Sequence, residues 1–371
     1  MNLQRLAASL TIVLTLGHLP VASAAADTTV PGPAPASGND TYDPTRSAPG
    51  APKPELPKPE APKADAVKAA TPTAPAASGT DIGLPAPSAS LLPHIGPVPV
   101  QSNTKSFIWE VKSPTNTVWL FGTMHVGKRE FYPLPEAVET AFGKSAKLVV
   151  EADISKSAVG ELNLLISYFP PDTLDKNIPK YLNDRLITQL ARLQIPEAAV
   201  KSMRPVVVGG FLSLVEFDRL GYDMDLGVDG YLLRRAKDTG KPVEELESVR
   251  AQVEMLGNMP GDLQEAFLDN AIAALELDRL SDQVNGMVNA WRSGDTRLML
   301  DVTAAVNRDM KLTRQLDEIL LYGRHDAMLK KIEGYLAGKE SHFVAVGSLH
   351  LVGPRGLIQA LKSKGYEVTQ K

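Results

Sequence analysis

The stretch WLFGTMHVGK, residues 119–128, runs an apolar segment into Gly122 and places His125 three positions later. FVAVGSLHLVG, residues 343–353, repeats the order: apolar run, Gly347, two residues, His350. Continuous apolar runs, rather than alternating ones, mark strands covered on both faces, the habit of a parallel sheet between helices. Outward from the first copy, LPEAVETAFGK (134–144) carries Leu134, Val138 and Ala141 at helical spacing, and KLVVEAD (147–153) is again a short apolar run, so the local order is strand, helix, strand. KPVEELE (241–247) follows the helical GYLLRRAKDTGK and reads as a further strand, and HFVAVG (342–347) as the last.

Between the strands lie KYLNDRLITQLARLQI (180–195), DLQEAFLDNAIAALELDRLSDQVNGMVNAW (262–291) and DEILLYGRHDAMLKKIEGYL (317–336), whose apolar residues fall three and four apart. These are helical patterns. Residues 155–235 and 249–337 hold more helix than plain crossovers need, which predicts a helical cap over one edge of the sheet. The expected fold is therefore α/β, a central and mainly parallel sheet with flanking helices and a cap.

Composition sets the outer limits. The 371 residues are 43% hydrophobic and 22% charged, a globular balance. Residues 1–26 read as a secretory signal: Arg5, an apolar run from Leu6 to Leu16, then Ala22-Ser23-Ala24 as a cleavage site. Residues 27–103 hold 17 of the 29 prolines and one aromatic, Tyr42, too little apolar surface to offset ordering entropy, so they read as a disordered spacer. The folded domain is expected over 104–371. There is no cysteine, which excludes disulfides, a lipobox, a thiolate nucleophile and Cys-ligated zinc. The net charge is −4 and no Lys/Arg block stands out, so the electrostatic footprint of a nucleic-acid binder is missing. The expected location is periplasmic or secreted, with the Pro-rich spacer open to a cell-envelope partner.

In open parallel sheets reactive groups collect at the carboxyl ends of the strands. His125 follows one strand, Glu151 ends the next, Glu247 follows a third and His350 the last, so four groups able to bind metal or move protons are expected on one rim. From Lys105 onward there are four histidines, and two of them sit in the matched motif. Gly122 and Gly347 are expected to supply a tight turn that only glycine tolerates, through its φ and its missing Cβ. Taken singly, each group also has a plain reading: a satisfied loop histidine, a surface ion pair for Glu151, a solvated acidic run for Glu247, a helix cap for Asp229. H-E-x-x-H, G-x-S-x-G and P-loop motifs are absent. Ser348 inside G-S-L-H lacks the context of a nucleophile.

These residues resemble the TraB/GumN family, related to PrgY and to the animal Tiki proteins, which is marked by paired G-x-x-H motifs and an intervening glutamate. FGTMHVG looks like the first motif, LVVEAD the glutamate strand, GVDGYLLRRAKDTGKPVEELES the central block, AWRSGD a helix junction, and VAVGSLHLVGPRGLIQALKSKGYEV the closing strand and helix. The resemblance covers residues 107–371. It implies a fold akin to the erythromycin-esterase, ChaN and Tiki group, and makes His125, Glu151 and His350 the catalytic or metal-binding groups. Arg324 matches the arginine of an R-N-x-x-M segment, here RHDAM, with His325 in place of asparagine; NRDM at 307–310 is a competing match. Asp229 matches a further family position. Tiki members are described as metal-dependent proteases, and the scaffold is also associated with esterase-like hydrolysis and pheromone shutdown.

The leading expectation is an exported, metal-assisted hydrolase acting on a peptide or amide bond. His125 and His350 would bind zinc, manganese or cobalt, with Glu151 as ligand or general base. One alternative is metal-independent, esterase-like hydrolysis of a small amide or ester, with Glu151 and a neutral histidine activating water. The other is a non-catalytic module that binds a peptide or serves envelope polysaccharide assembly.

Overall fold

The computed structural model describes residues 105–153, 164–304 and 310–371, so the expected signal segment, the spacer and the competing NRDM arginine lie outside the described residues. A hairpin opens the domain: β1 (Ile108–Lys112) pairs antiparallel with β2 (Thr117–Thr123). α1 (Glu136–Lys144) then leads to β3 (Lys147–Val150). After α2 (Lys180–Arg192), α3 (Pro205–Arg219) and α4 (Val228–Thr239) comes β4 (Val243–Glu245). Next follow α5 (Val249–Gly257), α6 (Gly261–Glu276), α7 (Leu280–Ser293), α8 (Thr296–Ala304), α9 (Met310–Leu320) and α10 (His325–Ala337). The chain closes with β5 (His342–Gly347), the single turn α11 (Ser348–Leu351), α12 (Leu357–Ser363) and β6 (Glu367–Gln370).

The six strands lie in the order β4-β3-β5-β2-β1-β6. The four from β4 to β2 are parallel, whereas β1 and β6 extend the sheet antiparallel. Burial follows that division: every residue of β5 is buried, while β6 alternates between exposed and half-buried. Phe121 on β2 and Phe343 on β5 pack with tilted rings 5.7 Å apart, and Phe142 of α1 meets Phe343 edge-on at 5.5 Å. The α/β class, the mainly parallel sheet and the flanking helices are as the apolar runs predict. β1 and β6 were not expected.

Two helical patterns that look continuous are broken. Residues 262–291 split into α6 and α7 around Asp278, whose φ is +51°. Residues 317–336 split at a 3-10 turn, Tyr322–Arg324, between α9 and α10. α3 packs along α6 and also against α7, and α2 rests on α6, forming the helical layer. Trp291 of α7 ties that layer to the sheet, donating from Nε1 to the Gly122 carbonyl at 2.7 Å.

Candidate active site

Register brings the candidate groups together. Thr123 lies opposite Gly347 in the β2–β5 pair, Val150 opposite Ala345 in β3–β5, and Val150 opposite Glu245 in β3–β4. The pairing continues past β4, where the Glu247 N–H donates to the Glu151 carbonyl at 2.9 Å. Four adjacent parallel strands therefore end side by side, and the residues just beyond them are His125, His350, Glu151 and Glu247. β5 is inserted between β2 and β3, both of which lie far upstream of it in the sequence, so the strand order reverses here, the usual place for a site in an open α/β sheet.

His125 is held from the α4 side. Its Nδ1 lies 2.7 Å from Asp229 Oδ2, and Thr123 Oγ1 donates to Asp229 Oδ1 at 2.7 Å. Asp229 sits in the first turn of α4, whose N-cap is Gly227 and which has no side-chain cap, so it serves His125 rather than the helix end. A carboxylate accepts only, which places a proton on Nδ1 and, in the neutral ring, leaves the lone pair on Nε2. That Nε2 is buried and has no hydrogen-bond partner among the described residues. Burial opposes protonation of His125, but the charge and hydrogen bond of Asp229 outweigh it and raise its pKa above the ordinary value.

Glu151 meets two donors at Oε1, Gln252 Nε2 at 2.8 Å and Arg324 Nη2, and one at Oε2, the Gly347 N–H at 3.2 Å. Burial alone would raise its pKa. The Arg324 guanidinium, with lesser help from the neighbouring histidines, instead holds it well below the carboxylate range. Arg324 also bonds Glu247, through Nε at 3.0 Å and Nη2 at 2.5 Å to Oε2, and donates from Nη1 to the Leu320 carbonyl at 2.8 Å. Glu247 is thus a half-buried ion-pair partner rather than part of a solvated acidic run. The break between α9 and α10 is what delivers Arg324 into this position. Gln252 bridges the two carboxylates, 3.1 Å from Glu247 Oε2.

His350 is fully buried on α11. Its Nε2 lies 3.3 Å from Arg324 Nη1 and 3.6 Å from Glu151 Oε2, and its Nδ1 is 2.9 Å from His325 Nε2. Burial, above all, pushes its pKa well down, so the ring is neutral at pH 7. Ser348 donates to the Thr123 carbonyl at 2.8 Å, a structural tie between the two motifs.

The two glycines act by size alone. Neither has positive φ, contrary to the turn expected of them. A Cβ on Gly122 would stand 2.6 Å from Phe107 Cδ1. A Cβ on Gly347 would stand 3.1 Å from His125 Nε2, 3.5 Å from His350 Cδ2 and 3.6 Å from Glu151 Oε2. The missing methyl leaves a gap bordered by all three principal candidates.

Two imidazoles anchored at Nδ1 and one carboxylate oxygen, Glu151 Oε2, are donor types suited to a divalent ion, and histidine ligands are ordinarily held in this way. As they stand, no group of three or more His, Asp or Glu among the described residues is arranged to hold a metal. Arg324 donates to His350 Nε2 instead. The donor chemistry fits an ion, and holding one requires that bond to give way.

Sequence reading did not single out Thr123, Gln252 or Trp291, and it noted His325 only as standing where the family motif has asparagine. Gln252 carried a signal: it is a polar residue on the face of α5 that otherwise buries Val249, Val253 and Leu256.

A model of the TraB/PrgY/gumN family matches residues 107–370. The chain belongs to this family. It is 27% identical over 248 residues to the uncharacterized protein YbaP of Escherichia coli K12, covering 66% of this chain and 87% of that one. A protein named metalloprotease TIKI homolog, from Amphimedon queenslandica, is 23% identical over 316 residues, covering 71% of this chain and 61% of its own length. No solved structure matches. Family membership and the distant Tiki relative point to a hydrolase-like protein and hint at metal dependence.

Proposed function

We propose that this member of the TraB/PrgY/gumN family is a hydrolase of peptide or amide bonds, with its working site in the gap beside Gly347. The observation that carries the reading is the convergence at Gly347 of His125 Nε2, buried and without a hydrogen-bond partner among the described residues, with the edge of the His350 ring and Glu151 Oε2, all within 3.6 Å of where a Cβ would stand. A divalent ion there would be held by His125 Nε2, His350 Nε2 and Glu151 Oε2, and would lower the pKa of a bound water toward neutrality. Asp229 fixes the His125 tautomer, and Arg324 with Gln252 occupies Glu151 Oε1 so that Oε2 faces the gap. The Tiki relative's printed name supports the peptide-bond class.

A second reading rests on Arg324, whose bond to His350 Nε2 leaves His125 Nε2 as the free base. Here His125 takes the proton from water directly, with Asp229 stabilising the imidazolium. Purified protein is assayed for cleavage of a peptide library after chelation and after return of zinc, manganese or cobalt. The first reading predicts loss and recovery of turnover, with stoichiometric ion by calorimetry; turnover indifferent to chelator hands the site to the second. Glu151→Gln should lower turnover by about 10²- to 10⁴-fold under the first reading. Near wild-type turnover in that variant refutes that reading. The apolar, A-x-A-terminated segment 1–26 supports export as part of the same proposal.

A further inference from the structure

We infer that His325 is a positioning residue that fixes His350 in its Nδ1-protonated tautomer, leaving the Nε2 lone pair directed at the site. The inference deepens the functional reading above, since it concerns the imidazole to which that reading gives work.

The two ends of a hydrogen-bond chain dictate the tautomers. The Arg355 carbonyl only accepts, and it lies 3.0 Å from His325 Nδ1, so that nitrogen carries a proton. Neutral His325 then offers a lone pair at Nε2, 2.9 Å from His350 Nδ1, which must donate. At the far end Arg324 Nη1 only donates, 3.3 Å from His350 Nε2, which must accept. Every member is satisfied in one direction only. Reversal would leave two acceptors facing each other at the Arg355 end and two donors facing each other at the Arg324 end.

The His325 ring is also held in place. It is the first residue of α10, immediately after the 3-10 turn that delivers Arg324, and is 7% exposed. Its edge meets Tyr322 at 5.5 Å and 89°, and the Arg355 guanidinium covers the same tyrosine ring at 4.1 Å. Arg355 therefore fixes His325 twice, by its carbonyl and through Tyr322. An acceptor behind a working imidazole sets its orientation and basicity, and losing one costs about 10- to 100-fold in metal affinity or activity.

The test is NMR on full-length protein with nitrogen-15-labelled histidine, metal-free. Wild type should show His350 protonated at Nδ1 and a scalar coupling across the hydrogen bond between His350 Nδ1 and His325 Nε2. His325→Leu should abolish the coupling and shift the His350 tautomer equilibrium. His325→Gln, whose terminal oxygen can replace the Nε2 acceptor, should preserve the tautomer. Turnover and zinc affinity should follow the tautomer, falling about 10- to 100-fold in the leucine variant and staying within a few-fold in the glutamine variant. An Nε2-protonated His350 in wild type overturns the inference, even if the leucine variant fails to fold. So does an unchanged tautomer in a folded leucine variant, or a glutamine variant that falls as far as leucine. A wild type with the coupling but no hydrolysis would refute the proposed function and leave the tautomer assignment standing.

Discussion

Gly347→Ala isolates the gap from everything around it. The new Cβ would stand 3.1 Å from His125 Nε2, closer than an ordinary van der Waals contact, and 3.6 Å from Glu151 Oε2, and all three of its nearest neighbours are side-chain atoms of the candidate groups. Backbone strain is not at issue, because Gly347 has φ −50° and ψ 135°, open to alanine. The variant should fold, with an overpacking cost of about 1–3 kcal/mol. The functional cost follows from the shift: the His125 ring must give by a few tenths of an ångström, and with a 1 Å misplacement of reacting groups costing on the order of 10²-fold, turnover should fall roughly four- to tenfold. Thermal unfolding, zinc calorimetry and peptide-library cleavage are measured together. Gly143→Ala is the control, because its added methyl meets nothing within 4 Å. Turnover and ion affinity within twofold of wild type, in a folded Gly347→Ala protein, would refute the idea that this space is where the chemistry happens.

Asp229→Asn should lower turnover about 10- to 100-fold by releasing His125. His125 is held above its ordinary 6.5 in the folded chain, so it contributes stability that is full below about pH 6.5 and lost as pH rises through its elevated pKa. In metal-free protein the stability gap between wild type and Asp229→Asn should therefore be widest below pH 6.5 and narrow above neutrality, as read by urea unfolding; a gap that widens with pH contradicts the assignment. Arg324→Met leaves the buried Glu151 and the half-buried Glu247 without their cation and should cost about 3–5 kcal/mol at pH 7, mostly through Glu151. Glu151 has a depressed pKa, so its contribution is present above its ordinary 4.5 and fades as pH falls; the Arg324→Met gap should shrink in unfolding curves below about pH 4.5. Glu151→Gln should also lower stability at pH 7, because the carboxylate has a cation of its own in Arg324.

The strands that carry the site were readable because burial on both faces leaves an uninterrupted apolar run, as in HFVAVG, which is β5 end to end. β1 and β6 were not, since IWEVK and EVTQ mix charge with apolar residues in the way edge and near-edge strands do. His125, Glu151 and His350 announced themselves by position at strand ends. Arg324 was reached only by family likeness: its place depends on a helix break that heptad-like spacing hides, although Gly323 sits there, and a Cβ on it would meet the Glu318 carbonyl at 2.7 Å. The break at Asp278 has no glycine or proline to mark it, and a left-handed aspartate is not visible in a periodicity. The purpose of Gly122 and Gly347 was half read, since the absent side chain matters and the turn does not.

The insertion of β5 between β2 and β3 bears on how the protein is made. The first half of the chain supplies His125 and Glu151 on two strands that do not pair with each other. Only when residues 342–347 have left the ribosome can the intervening strand close the sheet, and Arg324, His325 and His350 arrive within the same last fifty residues. A nascent or truncated chain that stops before residue 342 therefore carries two open strand edges and no assembled centre. Completion of synthesis is therefore what brings the candidate centre together, and an interrupted product exposes unpaired strand edges that invite aggregation.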